Sequence, residues 1–169
     1  MKLVALLLLV ALVAGAFVLL TRGTSSEGAV VARVIDGDTI ELVGGQRVRL
    51  VQIDTPEKGT ECYGAEASAA TRRLIPPGTR VRIEQDPGLD QVDRFDRKLV
   101  YLWKGDEDVS LTLVSEGAAG VWFFHGRRGS HANKLLQAAE QARAANRGLW
   151  GACPLARFDP LAALSSGPS

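Results

Sequence analysis

Two cysteines, two histidines and almost no net charge remove several classes of function at the outset. Cys62, Cys153, His125 and His131 could supply four zinc ligands, but no pair has the close Cys-x-x-Cys or His-x-x-x-His spacing of a structural zinc site. Formal net charge is +1, and residues 1–20 hold one Lys and no acid, which leaves 19 basic against 19 acidic side chains. Bulk charge therefore advertises no nucleic-acid surface, and no basic tail or stripe is present, so any such function must rest on local constellations. Asp90, Asp93 and Asp96 recur at every third residue, whereas an EF-hand loop needs oxygens at every second one, so they read as solvated loop acids. Aromatic residues make up only 6% of the chain, and Trp103, Trp122 and Trp150 read as packing side chains rather than platforms for bases. There is no internal repeat and no low-complexity run.

What is present begins with an unbroken apolar segment, Leu3 to Leu20, behind Lys2 and ahead of Thr21-Arg22-Gly23. Its composition is that of an export signal. As a helix, residues 3–20 extend about 27 Å against a bilayer core of about 30 Å, so spanning is feasible. Ala14-Gly15-Ala16 offers small residues for cleavage, but the polar stretch expected beside a cleavage site is missing, which favours an uncleaved anchor over a secreted product. No cysteine directly follows the run, so a lipid-modified anchor is excluded. The positive-inside bias of Lys2 and the amino terminus against Arg22 places the domain outside the cytoplasm. Protease added to intact cells is expected to remove the domain, and a protected domain would reverse the topology.

Residues 21–28 form a Gly-, Ser- and Thr-rich linker, and one domain spans 29–153. Ala29 to Ile35 reads as a strand, Asp36-Gly37 as a hairpin signal, and Asp38 to Val43 as the second strand. After Gly44-Gly45 comes Gln46 to Ile53, not cleanly alternating and so expected to be buried on much of both faces. Gly64 to Ile75 suits a helix stopped by Pro76-Pro77-Gly78. Arg80 to Gln85 and Lys98 to Trp103 are two more strands, and Leu111 to Glu116 is a short helix. Val121 to Phe124 is an apolar extended stretch, and a last helix capped by Ser130 ends near Asn146-Arg147-Gly148. The fold class is α+β, mainly β: a five-stranded Greek-key barrel with about three helices, followed by a loose tail over 154–169.

Chemistry concentrates around the third strand. Asp38 opens strand two, Arg49 lies within strand three, and Asp54 and Glu57 follow it. In Asp54-Thr55-Pro56-Glu57 the proline ends the strand and holds Thr55 extended, which fixes the two carboxylates on a tight turn as a hard cation requires. A guanidinium inside Val48-Arg49-Leu50-Val51 needs an anionic partner, either a carboxylate or a bound phosphate. Taken singly, each acid fits an ordinary turn or helix cap, and Arg97 fits a solvated loop.

Together, Ile35-Asp36-Gly37-Asp38-Thr39, Arg49 through Glu57, and Asp93-Arg94-Phe95-Asp96-Arg97 occur in an order and spacing that resemble the staphylococcal nuclease family. Tyr63 to Ser68, Gly117-Ala118-Ala119 and Gly148-Leu149-Trp150 extend the likeness over about 29–150. The resemblance implies an OB-like barrel and a calcium-dependent nuclease acting on DNA and RNA, single-stranded or frayed, that leaves 3′-phosphate ends. It implies one Ca²⁺ on Asp38, Asp54 and the Thr55 carbonyl, although oxygen ligands alone would also admit Mg²⁺ or Mn²⁺. It assigns Glu57 to the attacking water, Arg49 and Arg97 to the phosphate, and Arg94, Phe95, Phe123 and His125 to substrate contact. Phe95, Phe123 and His125 depart from family tyrosines, which keeps stacking but forfeits phenolic hydrogen bonds. Asp96 stands where Gly is usual and must accept any left-handed geometry there. Cys62 and Cys153 read as an extracytoplasmic disulfide, and the protein as a monomer. The competing reading is a catalytically silent OB module that binds nucleic acid or a protein.

Overall fold

The computed structural model describes residues 26–169, so the export segment 1–20 and most of the linker lie outside the described residues. Among those described, no helix is long and apolar enough to cross a membrane. In chain order the strands are β1 (Ser26–Val34), β2 (Thr39–Leu42), β3 (Arg47–Leu50), β4 (Ile53–Asp54), β5 (Arg80–Glu84), β6 (Lys98–Lys104), β7 (Glu107–Asp108) and β8 (Gly120–Val121). The helices are α1 (Gly64–Leu74), α2 (Val109–Ser115), α3 (Ala132–Ala144) and the single turn α4 (Leu149–Ala152).

Five strands make the barrel. They lie in the order β3-β2-β1-β5-β6 with antiparallel neighbours, and β6 then runs parallel to β3 through Val48↔Lys98, Arg49↔Leu99 and Leu50↔Val100, which closes the sheet. Closure leaves no bare edge on these strands. The expected five-stranded barrel is thus present, with β7 as a short extension and β4–β8 as a separate two-stranded ladder.

Alternation decides what enters the barrel. Along β3, Val48 and Leu50 are fully buried while Arg47 and Arg49 take the opposite face. This corrects the expectation of a strand buried on both sides. The irregularity lies after it, where Val51-Gln52 turns with Gln52 left-handed at φ 64° before β4 begins. Ile40, Val31, Val81, Val100 and Leu102 complete the interior, and Leu113, Leu135 and Leu149 bring the helices onto it. Each such side chain contributes about 1.5–3 kcal/mol of burial.

Other boundaries also shift. β1 starts at Ser26, three residues before the expected edge of the domain. Asp36-Gly37 is no two-residue hairpin: Ile35 N–H bonds the Thr39 carbonyl at 2.9 Å, and the Asp36 carboxylate accepts the N–H groups of Asp38 and Thr39. Ser130 does not cap α3, because its N–H and hydroxyl both turn to Asp86.

The stretch 154–169, expected to be loose, lies packed on the domain. Phe158 meets the Trp150 ring edge-on, Ser166 is buried, and the carbonyls of Pro160 and Gly167 accept the N–H groups of Phe123 and Cys62. The physical reason is that main-chain groups, not an apolar stripe, hold it in place.

Cys62, ahead of α1, is bonded to Cys153, after α4, with Cα atoms 5.9 Å apart. The two are separated by 91 positions, a loop long enough for the cross-link to stabilise the fold by about 4 kcal/mol through chain entropy. Replacing both cysteines with serine should lower the unfolding free energy in urea by that order. A loss below about 1 kcal/mol would mean the bridge constrains little in the unfolded chain.

Candidate active site

The site grows out of the β2–β3 register. Thr39 pairs with Arg49, so Asp38 arrives beside the outward guanidinium of Arg49, and its carbonyl accepts the Leu50 N–H at 2.9 Å. β4 then returns Asp54 to the same spot. Arg49 Nη1 donates to the carbonyls of Leu50 and Ile53, each at 3.0 Å, while Nη2 pairs with Asp54 Oδ1 and lies 3.2 Å from Asp38 Oδ2. All three side chains are less than one-fifth exposed. Asp38 also accepts the Thr39 hydroxyl at 3.1 Å and the Thr55 N–H at 3.3 Å.

α1 clamps both acid-bearing loops. Its buried Thr71 hydroxyl donates to the Gly37 carbonyl at 2.6 Å, and Gly64, its first residue, sits so near Glu57 that a Cβ there would lie 2.3 Å from the Glu57 carbonyl. A Cβ on Gly37 would meet Thr55 Oγ1 at 2.5 Å, so glycine is required for the Asp38 loop to close on the Thr55 turn. Glu57 is exposed at the rim, its N–H held by the Glu61 carboxylate at 2.7 Å.

Two acids and one base leave this corner short of positive charge. Burial pushes Asp54 up to about 6, the Arg49 guanidinium pulling against it and Asp38 adding to it. Asp38 is raised for the same first reason, burial, and is likewise opposed by Arg49. Glu57 is raised by partial burial and then by Asp36, Asp38 and Glu61. Such a corner suits a hard divalent cation in charge, for which Asp38, Asp54 and the Thr55 carbonyl would be the candidate oxygen donors. Among the described residues no group of three or more His, Cys, Asp or Glu is placed to hold a metal ion, so this corner offers a cation two carboxylates and no third.

Arg97 is joined to the same corner. Asp96 does adopt the left-handed conformation, at φ 61°, and turns the chain so that Arg97 Nη1 donates to Thr39 Oγ1 at 3.0 Å, the hydroxyl that in turn donates to Asp38. Asp93 is not a solvated acid, as its spacing suggested. It accepts the N–H groups of Phe95 and Arg97 and the Arg97 guanidinium at 2.7 Å. Burial opposes its ionisation, but these donors outweigh it and hold Asp93 below the usual carboxylate range.

A groove of about 380 Å³ opens beside the two arginines. Arg94 and Phe95 line it, and Phe95, 62% exposed, has the guanidinium groups of Arg94 and Arg97 at 4.7 and 5.3 Å from its ring centre. Phe123 does not: it is wholly buried beneath the groove and packs in the core, which corrects its assignment to substrate. His125 lies outside the lining, in a one-turn 3-10 helix at φ 53°, against Phe124. Sequence reasoning missed Trp122 and Phe124, which line the groove from the opposite wall, with Arg49 5.4 Å from the Trp122 ring centre. Trp122, Phe123 and Phe124 follow the end of β8, where no regular strand dictates which of three adjacent aromatics turns inward.

A closed five-stranded barrel defines an OB-like protein, and two acids, two arginines and an aromatic groove gather on one flank of it. Residues 47–152 match the family described as staphylococcal nuclease homologue, and the chain belongs to that family. Arg49, Asp54, Thr55, Glu57 and Arg97 fall within the matched stretch, while Asp38 lies just ahead of it. The chain is similar to the thermonuclease of Staphylococcus hyicus, 34% identical over 128 residues that cover 71% of this chain and 73% of that one. It is also similar to the thermonuclease of Staphylococcus intermedius, 41% identical over 106 residues (58% and 61%). An endonuclease of Bacillus subtilis is 31% identical over 126 residues (70% and 59%).

The raised Asp54 carries a consequence for stability. Its folded pKa of about 6 lies above the ordinary 3.8, so the contribution of Asp54 to stability is full below about pH 4 and declines as pH rises through 6. A rise from 3.8 to about 6 corresponds to a penalty of about 3 kcal/mol at pH 7. Asp54→Asn, unfolded with urea in chelator, should be more stable than the parent by about 1–3 kcal/mol at pH 7 and nearly equal at pH 4. An equal difference at both pH values would show that ionised Asp54 is not the source.

Proposed function

We propose that this chain is a calcium-dependent nuclease that hydrolyses phosphodiester bonds of DNA and RNA outside the cytoplasm. The observation that carries the reading is the convergence of Arg49 and Arg97 on Asp38, one directly and one through Thr39, with Asp54 and Glu57 at the same corner. Phosphodiester hydrolysis needs an aligned water, charge compensation at the non-bridging oxygens, and a base. Glu57 is the base: it is exposed at the rim, and its raised pKa makes it a better proton acceptor. It takes a proton as the water oxygen bonds to phosphorus. Arg97, steadied by Asp93, and Arg49 face the charge that grows on the equatorial oxygens.

A calcium ion held by Asp38, Asp54 and the Thr55 carbonyl would polarise a non-bridging oxygen, and the all-oxygen set also admits Mg²⁺ or Mn²⁺. As the P–O5′ bond breaks, O5′ takes a proton from solvent and leaves as a 5′-hydroxyl, with the phosphate remaining on the 3′ side. Exposed Phe95 and Phe124 suit unpaired bases, so single-stranded or frayed substrate is preferred. The Cys62–Cys153 bridge supports an oxidising compartment, with residues 3–20 as the anchor, or as a cleaved signal, of a monomer. A silent binding module would have no use for five such residues gathered at one corner.

Calcium titration of DNA hydrolysis separates the roles. Glu57→Gln should lower turnover by about 10²–10⁴ with calcium dependence little changed. Arg49→Ala and Arg97→Ala should lower turnover more than they weaken substrate binding, while Asp38→Ala and Asp54→Ala should raise the calcium requirement. Wild-type rates in Glu57→Gln and Arg97→Ala, or full activity in chelator, would overturn the assignment.

A further inference from the structure

The candidate metal ligand Asp54 is held by more than Arg49. Its second oxygen, Oδ2, accepts the main-chain N–H of Leu164 at 2.9 Å, a donor 110 residues away in the carboxy-terminal segment beyond the residues matched to the family. That segment is fastened on both sides of the contact. Upstream, the Pro160 carbonyl accepts the Phe123 N–H at 2.7 Å. Downstream, the buried Ser166 hydroxyl donates to the Cys62 carbonyl at 2.7 Å, the Gly167 carbonyl accepts the Cys62 N–H at 2.8 Å, and the Ser169 N–H reaches the Thr60 carbonyl at 3.2 Å.

The segment leaves from Cys153 and returns to Cys62, and these two residues are disulfide-bonded to each other. It therefore forms a closed strap, and the strap crosses the Asp54 carboxylate. Between its anchors the Leu164 side chain sits over Gly120, where a Cβ would meet Leu164 Cδ1 at 3.1 Å, and Gly120 is the ladder partner of Asp54. Side chain and N–H thus register on the same β4–β8 pair.

We propose that Leu164 is a positioning residue whose main-chain N–H orients the Asp54 carboxylate for cation binding. The inference rests on Asp54 being a metal ligand, as set out above. A carboxylate oxygen has two lone pairs, so one can accept an N–H while the other stays available to a cation. Arg49 on Oδ1 and Leu164 on Oδ2 leave the carboxylate little freedom to rotate. Donors of this kind set the orientation of ligating groups, and losing one weakens metal affinity by about 10- to 100-fold.

Two measurements on the full chain test it. Amide hydrogen exchange in chelator should show Leu164 protected in the wild type and released at least about 10-fold in Asp54→Ala. Phe123, which donates to Pro160, should keep its protection. Calorimetric titration with calcium should then show Leu164→Pro, which deletes the N–H, binding about 10-fold more weakly, and Leu164→Ala, which keeps it, within about two-fold of the wild type. An unprotected Leu164 amide in the wild type overturns the inference and leaves the nuclease reading untouched. So does a Leu164→Pro titration that matches Leu164→Ala, or one that is tighter, since the N–H would then compete with the cation. A protected amide in a wild type that binds no calcium and cuts DNA in chelator would remove the metal reading, and the positioning role with it.

Discussion

The structure around the site depends on one constraint, the burial of the Arg49 guanidinium between two carboxylates. Left unpaired at that depth it would cost several kcal/mol, and pairing it with one acid would leave the other uncompensated. The surrounding architecture follows from holding all three groups. Thr39 and Thr55 spend a hydroxyl and an N–H on Asp38, two carbonyls are turned onto Arg49, and α1 pins the Asp38 loop through Thr71. Closure of the barrel belongs to the same constraint. The parallel pairing of Arg49 with Leu99 brings Arg97, two residues earlier, alongside the Thr39 hydroxyl. A shift of one residue in that pairing would reverse the faces and strand both arginines.

Much of this was legible in sequence because it is local. The five charged candidate residues and the left-handed demand at Asp96 follow from short motifs, and the disulfide pairing from there being two cysteines. The parts that were not legible depend on geometry that motifs do not encode. Gln52 is a non-glycine residue in a left-handed turn, tolerated because its side chain bonds both the Arg127 carbonyl and the Tyr101 hydroxyl, groups far off in sequence. The inward choice of Phe123 over Trp122 or Phe124 depends on how β8 pairs with β4, and composition treats the three alike. Asp93 misled for another reason. Its spacing from Asp90 and Asp96 says nothing of its use, which is to gather N–H groups and a guanidinium within its own turn.

The near-neutral chain and the anion-binding reading are reconciled by local charge. Arg49, Arg94, Arg97 and Arg127 all line the groove, yet Asp90 and Asp93 line it too. Arg127 is spent on Asp90 and the Gly88 carbonyl, and Arg97 on Asp93. Exposed pairs such as Arg127–Asp90 are worth little and can be exchanged for a phosphate, whereas the half-buried Arg97–Asp93 pair serves to aim its guanidinium. The groove lining thus carries four arginines against two acids, a small excess that acts at contact range more than by long-range steering.

The same corner that suits a cation weakens the fold when no cation is bound, because Asp38 and Asp54 are both buried as acids with one guanidinium between them. Stability has to come from outside the site. The Cys62–Cys153 bridge meets that need by restricting the unfolded chain, a contribution that asks nothing of the site's geometry. The bridge is also where the strap over Asp54 begins and returns, so the covalent constraint and the second hold on Asp54 share one anchor. A fold arranged this way can tolerate two acids sharing one guanidinium without enlarging its core. The cost of preorganising the acids is carried by the cross-link, and the barrel is left to aim the arginines.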